Sequence, residues 1–126
     1  SAMEDAELPF HLAYDKDGNF IGAAVETFTN KGFSGNISLM VGILADGTVN
    51  NISVLQHAET PGLGSKMSEP SFKDQFNNKH ADSFNFNVKK DGGDVDAITA
   101  ATISSRAFCD AVNRAISTFE NNKGGF

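Results

Sequence analysis

The chain has one cysteine in 126 residues, Cys109, which excludes an internal disulfide. Its place beside Phe108 in an amphipathic segment makes it a packing residue rather than a reactive one. Long apolar runs are also missing. The longest, Leu39 to Ala45, contains Gly42 and falls far short of the roughly 20 residues that span a bilayer. No cluster of lysine and arginine interrupts the acidic balance, and the net charge is −6. That balance argues against a nucleic-acid footprint or an anionic membrane surface as partner and serves mainly solubility. Neither a Rossmann fingerprint nor a Walker loop is present. No nucleophile-elbow or related signature surrounds any serine or the cysteine, so no catalytic residue is assigned. His57 and Glu59 alone are too few for a metal site, and none is assigned. Internal repeats and low-complexity stretches are absent.

What is present suffices for one domain with a single modest core: 40% of residues are hydrophobic, eleven of them phenylalanine. Ser1-Ala2-Met3 reads as a cloning scar ahead of a domain spanning residues 4–126. Upstream segments of the natural protein, a membrane anchor among them, are expected to have been removed. Pro9 to Tyr14 and Phe20 to about Thr29, joined by the turn Asp15-Lys16-Asp17-Gly18-Asn19, predict a hairpin. Ile37, Leu39, Val41 and Ile43 alternate with smaller or polar residues, as a half-buried strand requires. The Ala45-Asp46-Gly47 turn leads to a fourth strand over Val49, Ile52, Val54 and Leu55. Ser68 is expected to cap a short helix with Phe72 and Phe76 on its buried stripe, ending near Asn77 and Asn78. Phe84, Phe86 and Val88 alternate with Ser83, Asn85 and Asn87, predicting a last strand. Strands first and helices later point to an α+β domain in which helices pack on an antiparallel sheet.

Two stretches remain that packing does not account for. Asp96-Ala97-Ile98-Thr99-Ala100-Ala101-Thr102 runs into a segment in which Ala107, Phe108, Ala111, Val112, Ala115, Ile116 and Phe119 recur three and four apart, predicting a helix from near Thr102 to about Asn121. Its first turn offers unpaired N–H groups and the positive end of the helix dipole. Ala100, Ala101 and Ser104 keep bulk away, so a phosphate would be accommodated there. The simpler alternative is that Thr99 or Thr102 caps the helix, with Ser104 and Ser105 completing a polar turn. The second stretch, His57-Ala58-Glu59-Thr60-Pro61-Gly62-Leu63-Gly64, has two glycines bracketing a leucine, which permits close backbone approach to a ligand. His57 there is read as a loop histidine bonding backbone.

Asp96, Thr99, Ala100, Ala101 and Thr102 together resemble the Asp-x-x-(Ser/Thr)-(Gly/Ala)-Ala-Thr motif of the covalent FMN-binding domain family. His57 to Gly64 resembles the same family's His-x-Glu-Thr-Pro-Gly-Leu-Gly segment. Gly32 to Ile43, the Asp46-Gly47 turn and Ser104 to Asn113 also look like family counterparts, so the resemblance covers most of the chain. The family includes the G subunit of Rnf-type electron transport complexes, to which the likeness is greatest, and the C subunit of sodium-translocating NADH:quinone oxidoreductases. In one respect this chain departs from its nearest relatives: Ala100 stands where they usually have glycine, and its methyl group narrows backbone freedom.

The resemblance implies FMN attached through a phosphoester to Thr102 by a separate flavin transferase that uses FAD, with Asp96 belonging to the motif the transferase recognises. It also implies cofactor contacts from Glu59, Thr60, Pro61, Gly62, Leu63, Gly64, Lys66, Thr99, Ala100, Ala101, Ser104 and Ser105. Leu63 and Pro61 would offer apolar surface, Thr60 and the loop backbone polar contacts, and Lys66 charge neutralisation. The implied role is an electron-transfer flavoprotein subunit of a membrane ion-translocating ferredoxin:NAD oxidoreductase, a redox subunit rather than a stand-alone enzyme. Its partners would be the other subunits of that complex. It would sit at the inner membrane through a single N-terminal span, with this domain on the extracytoplasmic side. Two alternatives stay open: a non-redox ligand- or partner-binding module of the same fold, and the flavin-carrying domain of a larger extracellular reductase.

Overall fold

The structure, a computed structural model, describes residues 8–125; the Ser1-Ala2-Met3 segment lies outside the described residues. Four antiparallel strands form one sheet in the order β1 (Phe10–Tyr14), β2 (Phe20–Gly32), β3 (Gly35–Leu44) and β4 (Val49–Gln56). Sequence neighbours are sheet neighbours throughout, as short hairpin connections require. In the β1–β2 turn, Asp15 Oδ1 accepts the N–H groups of Asp17 and Asn19, each at 2.9 Å. The bonds from Asn19 hold the Asp15 carboxyl below its usual range.

The β2–β3 register pairs Ala23 with Ile43, Val25 with Val41, Thr27 with Leu39 and Thr29 with Ile37. These residues therefore share one sheet face, and all of them are buried. The long helix α2 (Thr102–Asn122) covers that face with Ala107, Phe108, Ala111, Val112, Ala115 and Phe119. Its observed span agrees with the expected one to within a residue, because three-and-four spacing over so many residues fits no other element. Thr27 and Thr29 reach the helix with hydroxyls instead of methylenes. Thr27 Oγ1 donates to the Ala111 carbonyl and Thr29 Oγ1 to Asp110 Oδ2, each at 2.8 Å. Two directed bonds from one strand fix the rotation and height of α2 over the sheet, which apolar contact alone leaves loosely specified.

Between β4 and α2 the chain is irregular. A 3₁₀ turn (Gly64–Ser68), the one-turn helix α1 (Pro70–Lys73) and a second 3₁₀ turn (Asp74–Phe76) bring Phe72 and Phe76 into the core. Their ring centroids each lie 5.0 Å from that of Phe108. Ser68 does not cap α1. It ends the preceding 3₁₀ turn, and Glu69 stands at the N-cap with no side-chain bond. Pro70 opens the helix without an N–H to satisfy, which lessens the need for a cap.

Nor does the segment from Phe84 to Val88 form a strand. Phe86 and Val88 are buried and Phe84 half-buried, so the alternation does mark an inward face. The Asn85 and Asn87 N–H groups, however, bond to side chains, while their carbonyls accept the N–H groups of Asp94 and Val95 at 3.0 Å. Asn85 N–H donates to Asp94 Oδ2 (2.7 Å) and Asn87 N–H to Asn85 Oδ1 (3.1 Å), leaving a single bridge between Val88 and Val95. Asparagine and aspartate compete with ladder bonding in this way.

Cys109 is buried on α2, and burial pushes its thiol up to about 12, with the nearby charge of Asp91 adding to the shift, so it is a packing group at neutral pH. Among the described residues no helix is long and apolar enough to cross a membrane.

Phe108 joins α2 to the segment carrying Phe72 and Phe76. Truncating it as Phe108→Ala is expected to lower unfolding free energy by about 3–5 kcal/mol, measured by denaturant titration.

Candidate functional site

A carboxylate lies beneath the site. Glu59 is only 4% exposed, yet it accepts from two backbone amides and one hydroxyl. Phe33 N–H donates to Oε1 and Ser34 N–H to Oε2, each at 2.8 Å, and Ser104 Oγ donates to Oε1 at 2.6 Å. These donors belong to the β2–β3 hairpin tip and the first turn of α2. No lysine or arginine pairs with Glu59 among the described residues. The buried charge is stabilised by oriented dipoles alone, and such bonds to a charged acceptor are about twice as strong as neutral ones.

The Glu59 loop turns tightly over this anchor. The Thr60 carbonyl accepts the N–H groups of Leu63 (3.1 Å) and Ser65 (3.2 Å), while Gly62 takes a φ of +77° and donates its N–H to Ser65 Oγ (3.0 Å). His57 Nδ1 accepts the Glu59 N–H at 3.0 Å, the backbone-bonding role expected for it. Gly64 lies against the head of α2, where an added Cβ would meet Glu59 Cβ at 2.8 Å and Ser104 Cβ at 3.0 Å. Only glycine permits that approach.

The other wall is the turn leading into α2. Ile98 accepts the Ala101 N–H at 3.0 Å, and Ala100 between them has a φ of +62°. A turn with positive φ at its third position calls for glycine. Glycine would adopt this conformation freely, whereas Ala100 holds it under strain. Ser105 locks the turn from below: its Oγ donates to the Ala101 carbonyl and accepts the Ile98 N–H, both at 2.9 Å.

Helix α2 begins with Ala101 at its N-cap and no side-chain capping bond. Neither Thr99 nor Thr102 caps it. The first backbone bond across the helix start is Ser105 N–H to the Ala101 carbonyl at 3.0 Å. The N–H groups of Thr102, Ile103 and Ser104 have no acceptor among the described residues, and neither has the Thr102 hydroxyl. These donors open onto a groove of about 340 Å³ lined by Phe33, Thr60, Leu63, Gly64, Ala100, Ala101, Thr102, Ile103 and Ser104.

The groove gathers seven of the residues singled out in the sequence: Thr60, Leu63, Gly64, Ala100, Ala101, Thr102 and Ser104. Others stand elsewhere. Glu59 and Ser105 are buried beneath it, and Pro61 and Gly62 are exposed on the turn, outside its lining. Lys66, Thr99 and Asp96 line a neighbouring depression of about 300 Å³, with Ser71 and Gln75. There Gln75 brackets the Asp96 peptide, accepting its N–H at 2.8 Å and donating to its carbonyl at 3.0 Å. Lys89 Nζ lies 2.7 Å from Asp96 Oδ1, and that pairing raises the ammonium above its usual range. Phe33, Ile103 and Gln75 were not singled out in advance. An exposed phenylalanine in a glycine-bracketed loop was the available signal for the first.

The FMN-binding domain family matches residues 32–117 of this sequence. The chain belongs to that family. The G subunit of the ion-translocating oxidoreductase complex of Shewanella baltica is 40% identical over 124 residues, covering 94% of this chain and 58% of that protein. The protein of the same description from Methanosarcina acetivorans is 39% identical over 129 residues, covering 98% of this chain and 66% of its own length. The chain thus spans somewhat under two thirds of these relatives. Among solved structures it is similar to the C subunit of the Na(+)-translocating NADH-quinone reductase of Parabacteroides distasonis (TM-score 0.72, 22% identity, 92% of this chain and 62% of that one). Shewanella oneidensis NqrC gives a TM-score of 0.67 at 23% identity, covering 93% and 61%. These likenesses show the fold: an antiparallel sheet with helices packed against it.

Two substitutions probe how the site is built. Glu59→Gln leaves one tip amide facing an amide donor and is expected to cost about 2 kcal/mol of stability, read by denaturant unfolding. Ala100→Gly relieves the left-handed strain, and after the entropic penalty of glycine it is expected to raise stability by about 0.5–1 kcal/mol. A loss of stability would show that the Ala100 turn is not held as described.

Proposed function

We propose that the groove holds FMN joined through its phosphate to Thr102. The observation that carries this reading is the part-buried Thr102, whose hydroxyl has no partner among the described residues and stands at an uncapped helix start facing an apolar groove. The groove's volume falls in the roughly 300–1,000 Å³ range of small-molecule sites. The phosphodiester would rest against the N–H groups of Thr102, Ile103 and Ser104, where the helix dipole favours negative charge. Leu63 and Ile103, 39% and 50% exposed, supply apolar walls, and Gly64 and Ala101 leave room for a flat ring to approach the backbone. Lys66, across the Thr99 turn, adds a cation without an ion-pair partner among the described residues. Redox chemistry would come from the isoalloxazine; the chain binds it, orients it and shields one face from water.

On this reading the domain is the electron-transfer part of an Rnf-type ion-translocating complex, moving electrons between ferredoxin and NAD. The descriptions of its relatives as G subunits of such complexes support that assignment. Its partners are the other members of the complex and, during maturation, a flavin transferase that reads Asp96 on the rim of the adjoining depression. An N-terminal anchor upstream of residue 4 would hold it at the inner membrane, with the domain on the extracytoplasmic side.

Intact-mass analysis after co-expression with a flavin transferase tests the proposal. The wild-type chain is expected to gain one FMN, and Thr102→Ala none while keeping its circular dichroism spectrum. Flavin retained covalently on Thr102→Ala, or a wild-type chain that stays unmodified, would overturn the assignment.

A further inference from the structure

Phe33 is 68% exposed, the most exposed of the large hydrophobic residues among those described, and it forms one wall of the groove. A side chain of this size forgoes roughly 1.5–3 kcal/mol of burial when left in water. Hairpin tips are usually among the loosest parts of a fold, but this one is held. Gly32 and Gly35 pair across the tip, and the intervening amides of Phe33 and Ser34 both end on the Glu59 carboxylate. The same carboxylate takes the Ser104 hydroxyl two residues beyond Thr102. The phenyl wall and the attachment residue are therefore tied to one buried group, at a separation set by side-chain bonds rather than by loop flexibility.

We propose that Phe33 is the aromatic wall on which the flavin ring stacks, and that Glu59 is the positioning residue that sets this wall's distance from Thr102. The inference rests on the reading that FMN occupies the groove. A planar aromatic ring is the ligand chemistry that suits the walls: Phe33, Leu63 and Ile103 are apolar, Thr60 offers a polar group on the loop side, and unpartnered N–H groups stand at the end where α2 begins. Stacked or edge-on aromatic contacts stabilise a bound ring beyond the area they bury. The Glu59 brace makes the contact preorganised, so little tip entropy is lost when the ring binds.

The test uses FMN-loaded protein and tryptophan as a contact quencher of flavin emission. Phe33→Trp is expected to lower flavin fluorescence several-fold and shorten its lifetime. Leu44→Trp, at the opposite end of β3 from the tip, is expected to leave both at the wild-type level. Adding Glu59→Gln to Phe33→Trp is expected to restore much of the emission as the wall is released, with FMN still attached by mass. If that double variant does not load flavin, Glu59→Asp, whose shorter arm cannot reach both tip amides and Ser104, is used in its place with the same expectation. Wild-type emission from Phe33→Trp carrying FMN on Thr102 would overturn the stacking wall. Persistent quenching in both Glu59 variants would overturn the positioning role. Absence of FMN from Thr102 in the wild-type mass spectrum would instead overturn the underlying reading of the groove.

Discussion

A carboxylate taken out of water must be repaid in hydrogen bonds, or it becomes one of the most destabilising groups a protein can bury. Glu59 meets that requirement with donors 25, 26 and 45 residues away, from the hairpin tip and the helix head. Core packing lays α2 across β2 and β3 and seats Met67 beside it. The carboxylate adds the directed bonds that fasten the tip amides and the helix head to the loop. Gly64 lies against Ser104, and the space between tip, loop and helix is the groove.

The scaffold behind the groove is correspondingly rigid. Thr27 and Thr29 pin α2 to β2, so the helix head cannot slide along the sheet. The turn before it is locked by Ser105 and holds Ala100 left-handed, a strain the surroundings sustain. Three N–H groups and a hydroxyl, none with a partner among the described residues, are thus presented at one end of an apolar slot. That combination suits a ligand with an anionic end and a flat apolar body, as the FMN-binding domain family requires. Asp96, bracketed by Gln75 and paired with Lys89, stands on the opposite side of the Thr99 turn. Asp96 therefore lies outside the lining of the groove.

Much of this was legible in the residues. β3 and α2 declared themselves because their apolar spacing fits only one element, and β1, β2 and β4 through the turns that separate them. The two motifs supply residues on both walls of the groove, Thr60, Leu63 and Gly64 from one and Ala100, Ala101 and Thr102 from the other. The stretch from Phe84 to Val88 alternates in burial as a strand does, but asparagine and aspartate side chains take the N–H groups of Asn85 and Asn87, a competition that hydrophobic pattern cannot display. Glu59 looked like a cofactor contact, but its real donors sit in segments that sequence distance hides. Phe33 differs in the sequence from the other phenylalanines only by its place between Gly32 and Gly35, and the bonds that tie its tip down are visible only in the structure. Gln75 acts through both ends of its amide on a peptide 21 residues away, which leaves no trace in spacing or composition.

One buried carboxylate fastens both the hairpin tip and the helix head, and amide hydrogen exchange reads that bonding directly. The Phe33 and Ser34 amides lie on an exposed tip, where unbonded N–H groups exchange at the rate of free peptide. Bonding to Glu59 predicts that both are strongly protected, with slow exchange resembling that of the flanking β2 and β3 amides. Free-peptide exchange at these two positions in the intact domain would contradict the account.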